Sequence, residues 1–247
     1  MPIMLAGAIL APANVSGPVP GDELHIQFTG PLTIPGSANV IEIDADEARK
    51  RQVRKIRVGG RVAVCYVSAG SLEDYRADAD SFSARLVGRK LDGWPRERWL
   101  DVRERKVLRP LLERRTKRCA KKGFDAIEFD NVDGYQNSTG FKIKRRHQIK
   151  YNKMLSRLAN KAGLSPGLKN AMGLVKPLSK HFDWALNEEC VTYAECSAYR
   201  HFRKRDKAVF IIEYGDVPRS AVCREARRIG ATAQIKRLKL SAWALHC

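Results

Sequence analysis

The stretch "GFDAIEFDNVDGYQN" (Gly123–Asn137) begins as an apolar-alternating run and ends as a loop, with acids at Asp125, Glu128, Asp130 and Asp133. Successive side chains of a strand point to opposite faces, so Glu128 and Asp130 share one face and Ile127 and Phe129 the other. The apolar pair is suited to pack on helices. The acids then face inward, at the C-terminal end of a strand, where α/β barrels keep their catalytic groups.

Seven further β-rich runs accompany it: "LHIQF" (Leu24–Phe28), "VIEID" (Val40–Asp44), "VAVCYVS" (Val62–Ser68), "LSPGLKN" (Leu164–Asn170), "DWALNE" (Asp183–Glu188), "AVFIIEY" (Ala208–Tyr214) and "ATAQIK" (Ala231–Lys236). Helical spacing of apolar residues falls between them at Ala45–Val58, Val107–Lys122, Arg145–Ala162, Val191–Lys204 and Arg219–Ile229. Alternating strands and helices predict a parallel sheet, because parallel neighbours need crossovers. Eight such units make one α/β domain, a single (β/α)8 TIM-type barrel over residues 21–247. An open doubly wound sheet is disfavoured, since no GxGxxG or P-loop opens a helix. Gly123, Gly163 and Gly230 each stand where a helix should stop before a strand.

Forty-six Lys+Arg against 27 Asp+Glu give a formal charge of +19, spread over the helical segments. Such a chain is attracted to polyanions, so electrostatic association with an anionic cell-wall or extracellular polymer is expected. No segment approaches the roughly 18 apolar residues of a membrane span. Residues 1–20, with "MPIMLAGAILAPA" and Ala11-Pro12-Ala13, read as a signal peptide or a disordered N-terminus. Sequons at Asn14 and Asn137 are compatible with secretion.

The six cysteines show no CxxC spacing, which argues against zinc. Cys190 and Cys196 flank a short loop, Cys247 could be stapled to Cys223, and Cys65 could pair with Cys119. Disulfides would mean an oxidising, extracellular location; six free buried thiols in a cytosolic protein is the alternative. A monomer is expected, and neither metal nor cofactor.

The strand ends are polar. They carry Tyr66 and Ser68, then Glu128 and Asp130, then Lys169 and Asn170, then Asn187, Glu188 and Glu189, then Glu213 and Tyr214. Glu73, Asp74, Arg76, Asp133 and Tyr135 follow on the loops, where they could orient a sugar; an Arg76–Asp78 surface pair is the plainer reading. Glycosidic bonds are cleaved by two carboxyl groups, about 5 Å apart for retention and roughly 6.5–9.5 Å apart for inversion. Lys169 beside such acids would favour their charged form. Trp94 and Trp99 could stack on pyranose rings or pack beneath a loop.

Six blocks carry a resemblance: "VAVCYVSAGSLEDYRADA", "LDGWPRERWLDVR", "GFDAIEFDNVDGYQNSTGF", "GLKN", "FDWALNEEC" and "AVFIIEY". In order and spacing they resemble the endo-α-1,4-polygalactosaminidase family, glycoside hydrolase family 114, over about Leu24–Cys247. The resemblance implies an endo-acting hydrolase of α-1,4-linked galactosamine-containing polysaccharide, with a retaining two-carboxylate mechanism. By position it implies Asp130 as nucleophile and Glu188 as acid/base, with Glu189 a rival and Glu213 a possible replacement. Tyr66, Ser68, Glu73, Asp74, Arg76, Glu128, Asp133, Tyr135, Lys169, Asn170, Glu189, Glu213 and Tyr214 are the candidate substrate contacts. The chain departs from the family's pattern at Leu24, Phe129, Ala171 and "KRLKLSAW" without losing a candidate acid.

Two other function classes compete. A non-catalytic barrel could bind anionic polymers through its basic helices. A nuclease would want paired acids with histidine around a metal, and the five histidines show no ligand spacing.

Overall fold

The computed structural model describes residues 17–247; the apolar leader run and the Asn14 sequon lie outside the described residues. Gly17–Pro20 belong to the packed body: Pro18 is buried and Gly17 backs onto Ser165.

Among the described residues twelve strands occur, β1 (Leu24–Ile26), β2 (Val40–Asp44), β3 (Val62–Ser68), β4 (Ser71–Glu73), β5 (Val87–Leu91), β6 (Trp94–Leu100), β7 (Ala126–Asp130), β8 (Ser165–Lys169), β9 (Trp184–Glu188), β10 (Val209–Tyr214), β11 (Thr232–Lys236) and β12 (Leu245–His246). Six α-helices join them: α1 (Lys50–Arg57), α2 (Arg105–Lys122), α3 (Arg145–Lys161), α4 (Val175–Leu178), α5 (Arg200–Arg203) and α6 (Arg219–Ile229). The main sheet runs β1-β2-β3-β7-β8-β9-β10-β11, all parallel, with β12 added antiparallel on β11. These eight parallel strands are the eight predicted ones, and they curl into a TIM-type barrel.

The seam between β11 and β1 is closed by side chains and by the chain's last strand. Thr232 Oγ1 donates to the Asp22 carbonyl at 2.7 Å, and the His246 ring on β12 lies 5.9 Å from that of His25 on β1. Higher up, the amides of Phe28 and Thr29 donate to the Leu240 carbonyl at 2.8 and 3.2 Å.

Two cores follow from strand parity. Ile127, Phe129, Cys65 and Val67 face outward and pack with Leu108, Leu112, Tyr151 and Leu155 of the helices. Leu24, Val40, Val64, Ala126, Trp184, Leu186 and Phe210 face inward and fill the lower half of the barrel. Three disulfides, Cys65–Cys119, Cys190–Cys196 and Cys223–Cys247, tie β3 to α2, close the loop after β9, and fasten the C-terminus to α6.

The structure corrects two local expectations and adds an element the sequence reading did not assign. The helix expected from Ala45 begins only at Lys50, because Asp44 Oδ1 accepts the amides of Asp46 and Glu47 and turns the chain first. The helix expected over Val191–Lys204 is reduced to a 3-10 turn and the four-residue α5. Its first amides, Val191 and Thr192, donate instead to the Glu213 carboxylate, and Ala194 is left-handed at φ 55°. In addition, β4, β6 and β5 form a separate antiparallel sheet inserted after β3. Its β5–β6 turn is Asp92-Gly93, with Gly93 at φ 78°, a two-residue hairpin loop in a strong turn dipeptide.

Gly167 on β8 faces the barrel interior, where a Cβ would overlap the Trp184 indole. Gly167→Ala is therefore expected to cost about 1–3 kcal/mol by overpacking, read as a lower urea midpoint without a change in slope.

Candidate active site

Three neighbouring strands leave the barrel by the same device. Asn131 after β7, Asn170 after β8 and Glu189 after β9 are all left-handed, at φ 60°, 43° and 65°. A non-glycine residue in this conformation is held by its surroundings, and asparagine tolerates it best. Asn131 Nδ2 donates to Ser68 Oγ at 2.9 Å and to Ser71 Oγ at 3.1 Å. Asn170 Oδ1 accepts the Glu188 amide at 2.8 Å. Each turn redirects the chain sharply, leaving Asp130, Lys169 and Glu188 as the last inward side chains of their strands.

These three side chains meet in a cleft of about 670 Å³ at the C-terminal mouth. Lys169 is 3% exposed, with Nζ 3.3 Å from Glu128 Oε2 and 3.4 Å from Glu188 Oε2. Burial alone would lower its pKa, but the charges of Asp130, Glu128 and Glu188 outweigh burial and hold it well above the usual lysine range. Asp130 accepts from the Tyr66 hydroxyl at 3.0 Å and from the Asn131 amide at 2.7 Å. Glu188 accepts from the Tyr214 hydroxyl and from Asn170 Nδ2, the latter at 3.3 Å. Asp130 and Glu188 thus enter the cleft on either side of Lys169, two strands apart.

A second charged group forms the wall beside β2 and β3. The Arg76 guanidinium holds both oxygens of Asp44 at 2.7 and 2.6 Å and both of Glu73 at 2.6 and 2.8 Å. Burial pushes the Asp44 carboxyl up, but Arg76 and two backbone amides hold it below its ordinary value. Arg76 pairs with these acids rather than with Asp78, which is bound by Arg115 at 2.6 Å. Tyr75 stands between the guanidinium groups of Arg76 and Arg96, 5.0 and 4.9 Å from its ring centre.

Burial, with the charges of Glu73 and Asp130, raises Glu97 to about 7, against the opposing bond from Ser71. Burial and the Asp130 charge raise Asp133 to about 6.

Of the sequence-predicted residues, Tyr66, Glu73, Arg76, Asp130, Asp133, Lys169, Asn170, Glu188, Glu189 and Tyr214 line the cleft. Five do not. Glu213 faces outward on β10, fully buried, and anchors the loop after β9 through Val191 and Thr192; it neither pairs with Lys169 nor reaches the mouth. Ser68 is buried beneath the rim, bonded to Ser71. Glu128 lies on the floor below Asp130. Asp74 is exposed and paired with Arg96 at 2.7 Å. The Tyr135 hydroxyl turns to Gln136, over Gly173. Trp94, half-exposed at the hairpin tip, and Trp99, largely buried against Gly134, both border the cleft.

Asp44, Tyr75, Glu97 and Asn131 were not singled out from the sequence. For Asn131 the signal was present, as an asparagine directly after an inward acid.

Two carboxyl groups entering one cleft at the mouth of a (β/α)8 barrel are the arrangement that suits glycoside hydrolysis. The model of glycoside-hydrolase family GH114 matches residues 7–247, and the chain belongs to that family. Among solved structures it is similar to Aspergillus fumigatus Ega3 in complex with galactosamine, with 32% identity, a TM-score of 0.88, and 93% of this chain and 96% of that one covered. The glycoside hydrolase domain of PelA from Pseudomonas aeruginosa shares the fold at 15% identity and a TM-score of 0.69, covering 92% of this chain and 98% of that one. No curated protein matches the chain.

The arginine knot gives a direct test. Arg76→Met leaves two buried carboxylates without their countercharge and is expected to cost about 3–5 kcal/mol at pH 7. Because the Asp44 pKa is depressed in the folded state, its contribution is present above the unfolded value and lost as pH falls through the folded one. The deficit should therefore shrink below about pH 4, measured by chemical denaturation across pH.

Proposed function

We propose that this protein is an endo-acting hydrolase of α-1,4-linked galactosamine-containing polysaccharide, with Asp130 as nucleophile and Glu188 as acid/base in a retaining mechanism. The observation that carries this reading is the entry of Asp130 and Glu188 into one cleft from β7 and β9, with Lys169 between them. Asp130 receives two hydrogen bonds suited to a carboxylate, one from Tyr66 and one from the Asn131 amide. Glu188 must gain and lose a proton within one turnover. The Tyr214 hydroxyl beside it can turn from donor to acceptor as that happens.

The lining supports a cationic substrate. Nine acids against four Lys and Arg border the cleft of a chain whose formal charge is +19. An acidic mouth attracts a deacetylated amino-sugar polymer locally, while repulsion from the distant exterior is screened beyond about 10 Å at 0.1 M salt. The likeness to a protein bound to galactosamine points to the same sugar.

The exterior supports a second part of the reading, a secreted enzyme held on an anionic polymer. Three disulfides suit an oxidising compartment. Helix α3 carries six Lys and Arg and no acid, and Arg146, Lys150, Lys153, Arg157 and Lys161 fall at helical spacing along one face. Helix α2 beside it carries nine Lys and Arg, and its one acid, Glu113, is taken up by Lys117 and Lys161 at 3.0 and 3.3 Å. A surface so weakly compensated is suited to displace counterions from a polyanion.

A reducing-end assay on galactosamine polymer, its acetylated form, chitosan and polygalacturonate tests the activity. Cleavage of a galactosamine polymer is expected, with Asp130→Asn and Glu188→Gln each lowering kcat by about a thousandfold or more. Four intact polymers, or full activity in either variant, would overturn it. NMR of the first product anomer checks retention. For the exterior, Lys150→Glu with Arg157→Glu should weaken retention on immobilised polygalacturonate and flatten its salt dependence, while kcat on a short substrate stays the same.

A further inference from the structure

Beneath the two acids of the mouth lies a second carboxyl pair that the proposed chemistry does not use. Glu42 on β2 and Glu128 on β7 are both fully buried and both face into the barrel. They come from the strands on either side of β3, and alternate strands build each layer of a barrel interior. Burial and strand parity put both carboxyl groups in the barrel interior, where each acts on the other.

The donors around them do not suffice for two ions. Glu128 Oε2 faces Lys169 Nζ at 3.3 Å. Glu128 Oε1 and both oxygens of Glu42 meet no donor from the described residues. Two ionised carboxylates in contact repel, and an unpaired buried charge is costly in an apolar layer floored by Val40, Val64 and Ala126. One shared proton removes both penalties, because a protonated carboxyl is a donor as well as an acceptor.

We infer that Glu42 is held as a neutral carboxylic acid donating its proton to Glu128, and that this pair positions Lys169 between Asp130 and Glu188. The positioning role rests on the function proposed above; the protonation itself does not. Glu128 then carries one charge, enough to anchor the ammonium from below while leaving it within reach of Glu188. Burial, followed by the Glu128 charge, pushes the Glu42 carboxyl well up, while Lys169 opposes; burial raises Glu128 to about 7.

The other charged or titratable groups acting on the pair are Lys169 on β8, Asp130 on β7, Glu188 on β9 and Tyr66 on β3. Asp44 is committed to Arg76, and Lys236 to the Ser241 carbonyl at 2.7 Å. Loss of the shared proton would put a second negative charge under Lys169, drawing Nζ toward the floor and away from Glu188.

Infrared difference spectra of wild type against Glu42→Gln at neutral pH test the protonation without reference to activity. A protonated-carboxyl band that wild type has in excess over the variant is expected in the difference spectrum; no such difference band overturns the inference. Stability gives a second reading. A carboxyl with a raised folded pKa is taken up protonated on folding, so its presence costs progressively more stability as pH rises above its unfolded value. Glu42→Gln should therefore unfold with a flatter loss of stability between about pH 6 and 9, and parallel curves would count against a neutral Glu42.

For positioning, Glu42→Ala is expected to lower kcat about tenfold with KM less affected. Glu42→Gln, whose amide still donates to Glu128, should recover most of that loss and move the alkaline limb of the kcat profile to higher pH. A Gln variant whose limb coincides with that of wild type, or an Ala variant with unchanged kcat, removes the positioning role even if the infrared band is present. Should no polymer be cleaved, the infrared and stability readings still decide the protonation.

Discussion

A lysine ammonium buried under the barrel mouth sets the terms for the polar groups around it. In a medium of low effective dielectric, an unpaired charge on Lys169 would be intolerable, and its position is stable only because carboxylates surround it. The dependence is mutual. Glu128 pairs with no other cation among the described residues, and Glu188 shares Oε2 between Lys169 and Asn170. Removing the ammonium would leave several acids facing each other in one hollow. The polar layer therefore acts as a unit, supported by a fully apolar layer below it and by tyrosine hydroxyls from β3 and β10 at its sides.

Much of this was legible because strand parity is a local property. In "DAIEFD" the alternation alone separated Glu128 and Asp130 from Ile127 and Phe129, and the structure divides them in that way between interior and helix-facing core. In "AVFIIEY" the same rule would have sent Glu213 outward once Tyr214 was placed inward, but the polar ending drew both residues to the rim. What stayed hidden was non-local. Nothing near Asp44 announces that Arg76, thirty-two positions on, will bind it. The insert of β4, β5 and β6 was obscured because its strands carry charges on both faces, although Asp92-Gly93 marked its turn. The helix expected after β9 failed because a disulfide and a buried carboxylate claimed its first turn, constraints that amphipathic spacing does not encode.

Charge is segregated by depth in this protein. Acids concentrate at the C-terminal mouth, where the strands end and helix termini leave room for loops, while Lys and Arg occupy the outer helical faces. The two populations are mostly separated by the outward-facing hydrophobic core. Two of the contacts between them, Arg115 with Asp78 and Arg76 with Asp44, are largely buried and hold loop to barrel. A strongly basic composition and an acidic working cleft are therefore compatible in one molecule.

The seam between β11 and β1 has a consequence for biosynthesis. Strand β12 follows every other strand in the chain, and the closing contacts at Leu240, His246 and Cys247 all come from the same final stretch. As the polypeptide emerges vectorially, β1 through β10 can pair in order, yet the sheet must wait as an open ribbon with two bare edges. Its β1 edge stays unprotected until residues 240–247 have been made. Closure of the barrel is then governed by the arrival of residues 240–247, rather than by the folding of any single βα unit.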